Sequence, residues 1–292
     1  CLVTVCSIEH EDGTLVLPQI VTRHTVAEAR KRKIRILMAE DNMTNQKVAL
    51  RIMDKLGYRA DAVANGQEAL RALEMIPYDL ILMDVQMPVM DGFEATRLIR
   101  KSEEGTGKHI PIIAMTAHAT KGDRESCIEA GMDDYISKPI RPEELVEGIE
   151  RMLRRSLSLP PSHTAQAASR SERYVFDREE LLARVGDDEA FLAEIMGVFL
   201  DDVPLQIQGL RQAVDRRDFK DIEHLAHGLK GASANMAVES LRKTAQEMEQ
   251  AGKDHSFERA AGLLPRMEQE FETLKAVLAK SGLYSKRENI WD

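Results

Sequence analysis

Between residues 34 and about 155, short apolar runs alternate five times with amphipathic stretches of helical period, and this alternation constrains the fold more than any other feature. Such repetition builds strand-helix units on a parallel sheet with helices on both faces. Strands are expected at 34–39, 59–63, 80–84, 111–115 and 135–137. Helices are expected at 45–56, 66–75, 92–100, 121–130 and 142–153, with Gly57 and Gly131 as stops. The first domain, 34–155, is therefore read as α/β, a doubly wound five-stranded parallel sheet.

The pattern then breaks. Residues 156–171 read SLSLPPSHTAQAASRS, too poor in large apolar side chains to bury a core, so 156–173 is expected to be a flexible linker. Beyond it every strong period is helical, at 177–184, 189–215 with a kink expected at Pro204, 220–236, 239–250 and 256–279 with a disturbance expected at Pro265. In the last of these, Phe257, Ala260, Leu264, Met267, Phe271, Leu274 and Leu278 form one apolar seam of the kind that closes a bundle. Residues 174–282 are expected to be an all-α four-helix bundle, with 283–292 a tail. Residues 1–33 open on CLVTV and a polar stretch, and the chain starts at Cys1, so they are read as the tail of a preceding domain in a longer protein.

A net charge of -9 argues against a nucleic-acid surface, and the basic run from Arg30 to Arg35 reads as a solvated linker. No apolar run approaches the roughly 18 residues of a membrane span, so direct membrane contact is not expected. Three cysteines, Cys1, Cys6 and Cys127, make neither a disulfide framework nor a zinc site, which fits a reducing cytoplasm.

In open parallel sheets, reactive groups gather where the strands end. Glu40 and Asp41 follow the first strand, Asp84 ends the third, Thr116 follows the fourth and Lys138 the fifth. Three carboxylates converging on one crevice repel one another, and a hard divalent cation with oxygen ligands relieves them, which points to Mg2+. The metal would screen Asp84 from an incoming phosphate while one carboxylate oxygen attacks phosphorus. Lys138 and the Thr116 hydroxyl would take phosphoryl oxygens. Any one of these residues alone reads better as a solvated strand end; the ordered combination does not. Pro139 fixes how the chain leaves Lys138.

The stretches AEDNMTNQKVA, ILMDVQMPVMDG, IIAMTAHA and GMDDYISKPI resemble the signature blocks of response-regulator receiver domains found in hybrid sensor histidine kinases. The resemblance implies a flavodoxin-like receiver with Asp84 as phosphoacceptor. Its metal ligands would be Asp41, Asp84 and the Gln86 backbone carbonyl, with Glu40 acting on the metal through water. Thr116 and Tyr135 would switch on phosphorylation. His118 stands where such receivers often carry Asn, which bears on the lifetime of the phosphoryl group.

A histidine on a helix is ordinarily a surface residue without a role. On the helix expected at 220–236, Ile222, Leu225, Ala226, Leu229, Ser233 and Met236 form the apolar stripe, and His227 lies almost opposite, facing solvent or a partner. Gly231, one turn on, costs about 1 kcal/mol relative to alanine, and close approach of another surface would justify it. Lys230 could offset charge on a phosphorylated imidazole. LAHGLKGASANM is similar to the signature of histidine phosphotransfer (HPt) domains, with His227, Lys230 and Gly231 on its histidine, lysine and glycine; Ala237 stands where many relatives have glycine. A metal site on His224 and His227 lacks a carboxylate or cysteine at suitable spacing.

The two resemblances together imply the C-terminal part of a hybrid histidine kinase in a two-component phosphorelay. Asp84 would receive a phosphoryl group from a kinase histidine, with Mg2+, and exchange it with His227, within one chain or between chains, for onward transfer to a response regulator. The alternative is a phosphate sink or regulatory interaction module whose two sites serve different partners. An aspartate-nucleophile phosphatase would need a second aspartate two residues after Asp84, where Gln86 stands. No ATP-binding kinase segment is visible, so the fragment itself is not expected to be an enzyme. The expected location is cytoplasmic, with the parent protein anchored in the inner membrane.

Overall fold

The computed structural model describes residues 34–116, 121–157, 176–185 and 188–280. The expectations for 1–33, for His118, for 158–173 and for 283–292 lie outside the described residues.

Five strands, β1 (Arg35–Ala39), β2 (Arg59–Val63), β3 (Leu80–Asp84), β4 (Ile112–Thr116) and β5 (Asp134–Ser137), form one parallel sheet in the order β2-β1-β3-β4-β5. The order reverses at β1, so β1 and β3 run side by side and their carboxyl ends open one crevice. The strands alternate with α1 (Met43–Lys55), α2 (Gly66–Met75), α3 (Gly92–Glu103), α4 (Lys121–Glu129) and α5 (Pro142–Leu157). The central strands read as continuous apolar runs because both faces are covered: β3 and β4 are buried at every residue. Period-two alternation divides them. Leu37, Ile81, Met83 and Ala114 pack with α2 and α3 on one side, while Ile36, Met38, Leu80, Leu82 and Met115 pack with α1 and α5 on the other.

Several boundaries differ from expectation for local reasons. The helix α1 starts at Met43 rather than 45 because the Asn42 side chain caps it, accepting from the Asn45 amide at 3.0 Å. Thr116 is the last residue of β4 rather than the residue after it. Gly57 and Gly131 take positive φ, 82° and 98°, just past α1 and α4, as helix stops do.

The second half holds a short α6 (Arg178–Arg184) and four long helices, α7 (Glu189–Asp215), α8 (Phe219–Asn235), α9 (Glu239–Lys253) and α10 (Phe257–Lys280). Asp177, Asp188 and Asp218 cap α6, α7 and α8 with their carboxylates. Neither Pro204 nor Pro265 ends its helix: α7 and α10 run through them. The apolar seam of α10 is buried as expected from Ala260 to Leu278, with Phe257 half-buried at its start. Ala237, after α8, adopts φ 53°, a left-handed conformation in which an L side chain is strained.

The two halves pack together. The helix α1 of the sheet domain lies against α7 and α8, and buried apolar residues run as one continuous cluster from the α1 face of the sheet into the bundle.

Candidate functional site

Glu40, Asp41 and Asp84 meet at the crevice beyond β1 and β3, their oxygens within 4.8 Å of one another. Glu40 and Asp84 are each only 1% exposed. Lys138, arriving from the end of β5, places Nζ 2.6 Å from Glu40 Oε2 and 2.5 Å from Asp84 Oδ2. One ammonium thus serves two carboxylates with a third alongside. Burial, reinforced by Glu40 and Asp41 against the opposing pull of Lys138, pushes the Asp84 carboxyl well above its ordinary range. Burial also works against the Lys138 charge, but Asp84 and Glu40 outweigh it and hold the ammonium protonated. The three carboxylates exceed what one cation neutralises, so this donor set of hard oxygens fits a divalent cation such as Mg2+.

The remaining candidates on this side cluster as follows. Thr116 is buried at the end of β4, in register with Ser137, the residue before Lys138. The Gln86 amide donates to Asp84 Oδ1 at 3.3 Å, which sets that stretch of backbone beside the carboxylate. Tyr135 is half-buried against the α3 side of the sheet, its ring 5.8 Å from the Arg124 guanidinium carbon.

His227 sits on α8 away from the bundle's apolar stripe, yet it does not face solvent: only 7% is exposed, and the sheet domain meets the same face of α8 one turn on, where Asn45 approaches Gly231. Its Nδ1 lies 3.3 Å from Glu249 Oε1 on α9. Glu249 also accepts from Lys230 Nζ and, at 2.8 Å, from Lys253 Nζ. Burial opposes the Glu249 charge, but these partners overcome it and hold the carboxyl far below its usual range. A carboxylate accepts only, so His227 Nδ1 must be the donor, and Nε2 carries the lone pair. Burial lowers the His227 pKa to about 4, leaving the ring neutral at physiological pH. Burial likewise lowers Lys230. Lys138 is near enough for its charge to act on His227, which ties the two centres together.

The seam between them is narrow. A Cβ added to Gly231 would stand 3.2 Å from Asn45 Nδ2. Asn235 Nδ2 donates to Asn45 Oδ1 at 2.6 Å, and Asn45 Nδ2 donates to Glu40 Oε1 at 2.8 Å, so one amide links α8 to the acidic crevice. His224 Nε2 approaches Asp41 Oδ2 at 3.3 Å. His224 and His227 therefore face different acids and share no metal site.

Sequence reasoning missed Glu249, Asn45 and Asn235. The signal for Glu249 was there: it lies on the stripe of Leu241, Ala245 and Met248, where a carboxylate needs a buried partner. Asn45 similarly heads the buried line of Val48, Ala49 and Ile52.

Residues 36–150 match the family described as response regulator receiver domain, and residues 194–277 match the Hpt domain. Across both halves, the chain is 30% identical over 240 residues to the sensor histidine kinase GacS of Pseudomonas protegens, covering 80% of this chain and 26% of that protein. The chain thus spans about a quarter of that relative's length. Over 124 residues, 42% of this chain and 7% of the other, it is 48% identical to the hybrid signal transduction protein dokA of Dictyostelium discoideum. Among solved structures, the receiver domain of sensor histidine kinase PA1611 from Pseudomonas aeruginosa PAO1, with magnesium in its active site cleft, is 46% identical over 43% of this chain and 98% of its own, with TM-score 0.37. A second is the complex of the Saccharomyces cerevisiae histidine phosphotransfer protein Ypd1 with the receiver domain of Ssk1, at 31% identity, 41% and 88% coverage and TM-score 0.38.

Proposed function

Because the chain consists of a response regulator receiver domain followed by an Hpt domain, matching hybrid sensor histidine kinases through both, we propose that it passes a phosphoryl group between Asp84 and His227 as a segment of a phosphorelay. The observation that carries this is that both residues are buried against the same seam, with Lys138 paired to Asp84 and acting on His227. The proposed domain limits are 34–155 and 174–282, joined by 156–173. Bonds from Arg184 to the Ala234 and Asn235 carbonyls support counting α6 with the bundle.

Asp84 is the proposed acceptor, with Asp41, Asp84 and the Gln86 carbonyl holding Mg2+ and Glu40 acting through water. When bound, the ion supplies charge screening of the carboxylate and the incoming phosphate. Lys138 holds one phosphoryl oxygen and the Thr116 hydroxyl another, and Thr116 with Tyr135 relays the change of state. From the aspartyl phosphate, the His227 Nε2 lone pair attacks phosphorus. An N–P bond forms, the P–O bond to Asp84 breaks, and Asp84 returns as a carboxylate to Lys138. His227 keeps its proton on Nδ1, donated to Glu249, whose charge balances the positive charge gained by the ring, with Lys230 flanking. Both nucleophiles lie along one seam, linked through Asn45, so transfer within it gains from proximity.

The donor is a kinase histidine of the parent protein or another, and the final acceptor is a downstream receiver. No described helix is long and apolar enough to cross a membrane, and the proposed place of work is the cytoplasm. Acetyl phosphate with Mg2+ should label Asp84 and then His227. Asp84→Asn should abolish both labels, and His227→Gln only the second. Wild-type labelling in Asp84→Asn would mean a different nucleophile.

A further inference from the structure

With the bundle docked, both nucleophiles are buried, Asp84 1% and His227 7% exposed, so an outside protein reaches neither. We infer, building on the phosphotransfer reading above, that the bundle is a reversible cap on the receiver, held by a cation stripe on α1. Closed, it allows exchange between Asp84 and His227 alone. Open, it lets each site trade with an outside partner.

The stripe is Lys47, Arg51 and Lys55, spaced by four residues and therefore on one face of α1. Arg51 Nη2 binds Asp188 Oδ2 at 2.6 Å, with Lys55 Nζ 3.9 Å from the same oxygen. Lys47 Nζ lies 3.6 Å from Glu194 Oε1. Lys55 Nζ also donates to the Val185 carbonyl at the end of α6, and the Arg51 guanidinium covers the Phe191 ring at 5.2 Å. The cations thus meet the carbonyl end of α6 and the capping aspartate of α7, both carrying negative charge. These side chains remain 24–60% exposed, so each pair is weak and screened by salt. The crevice itself is spanned by small polar contacts, Asn45 with Asn235 and Asp41 with His224. The apolar cluster shared by α1, α7 and α8 lies inside this rim, so the stripe biases how readily the domains part rather than supplying the whole contact.

The test uses the full chain carrying Arg51→Glu, Asp188→Arg, or both. Small-angle scattering reads the separation of the domains independently of any chemistry, and acetyl phosphate with Mg2+ reads access to Asp84. Reversing one charge should expand the particle, speed initial Asp84 labelling roughly three- to tenfold and slow arrival at His227 by a similar factor. The double swap should restore all three. Lys47→Glu and about 0.5 M salt on the wild type should act in the same direction. Expansion without faster Asp84 labelling would overturn the cap while leaving the relay intact. An unchanged radius in every variant would overturn the role of the stripe. Failure of acetyl phosphate to label Asp84 in any chain would defeat the phosphotransfer reading instead, and scattering would still decide whether the stripe closes the domains.

Discussion

Replacing Glu249 by Gln keeps the side-chain shape and removes the charge that His227, Lys230 and Lys253 share. The Glu249 side chain is 4% exposed and Lys230 7%, so the variant leaves an ammonium buried without its counter-ion. Stripping one partner from a buried pair costs roughly 3–5 kcal/mol, and Gln, which still offers an oxygen, should reduce that to about 2–3 kcal/mol. Lys253, 39% exposed, adds little. For a domain of this size the melting temperature of the bundle should fall by on the order of 10 °C. Transfer should slow as well. The charged partner of Nδ1–H becomes neutral as the ring gains positive charge, and losing about 1.4 kcal/mol there corresponds to about tenfold in rate. Calorimetry and a time course of label leaving Asp84 for His227 measure the two effects. A variant that melts within about 2 °C of the wild type and transfers within about twofold of its rate would refute both the buried pairing and the assigned tautomer.

Three further outcomes are expected. The His227 ring, lowered by burial from 6.5 to about 4, keeps its lone pair well into the acid range. Transfer from phosphorylated Asp84 should therefore fall only as pH drops through about 4, and a midpoint near 6.5 would show a solvated histidine. At His227 the fold binds fewer protons than an unfolded chain between about 6.5 and 4, so this group's contribution to stability is lost as pH falls through that window, opposite in sign to that of the raised Asp84 carboxyl; melting of wild type against His227→Gln across the window isolates it. Gly231→Leu, forced against Asn45, should slow transfer by about a hundredfold or more while Asp84 still takes label; unchanged transfer would mean the seam is not the route. Ala237→Gly relieves the left-handed strain at φ 53° at some entropic cost, and should raise bundle stability by about 0.5–1 kcal/mol, read by denaturant titration.

Much of this arrangement is written locally. The strand ends of Glu40, Asp84, Thr116 and Lys138 are legible because apolar runs terminate there, and parallel strands bring all such ends to one edge. His227 stands out because a helical period leaves it off the stripe. What covers it is not legible, since the contact joins residues far apart in sequence: Asn45 to Asn235, and Arg51 to Asp188. Glu249 shows the same difficulty. Its place on an apolar stripe signals a buried carboxylate, but naming its partners requires knowing that α8 and α9 lie side by side. The helices expected through Pro204 and Pro265 are continuous: each proline removes one backbone donor, and the packed bundle holds the helix through both.

The central claim is that Asp84 and His227 exchange phosphate inside one chain, and mixing two half-disabled chains tests it most directly. In the intact protein, label should pass from Asp84 to His227 at a rate independent of protein concentration. A mixture of Asp84→Asn and His227→Gln chains should move label to the His227 of the first chain far more slowly, with a rate that falls on dilution, because each closed chain covers its own site. Transfer in the mixture as fast as in the intact chain, or the absence of any label on His227 in the wild type, would contradict it.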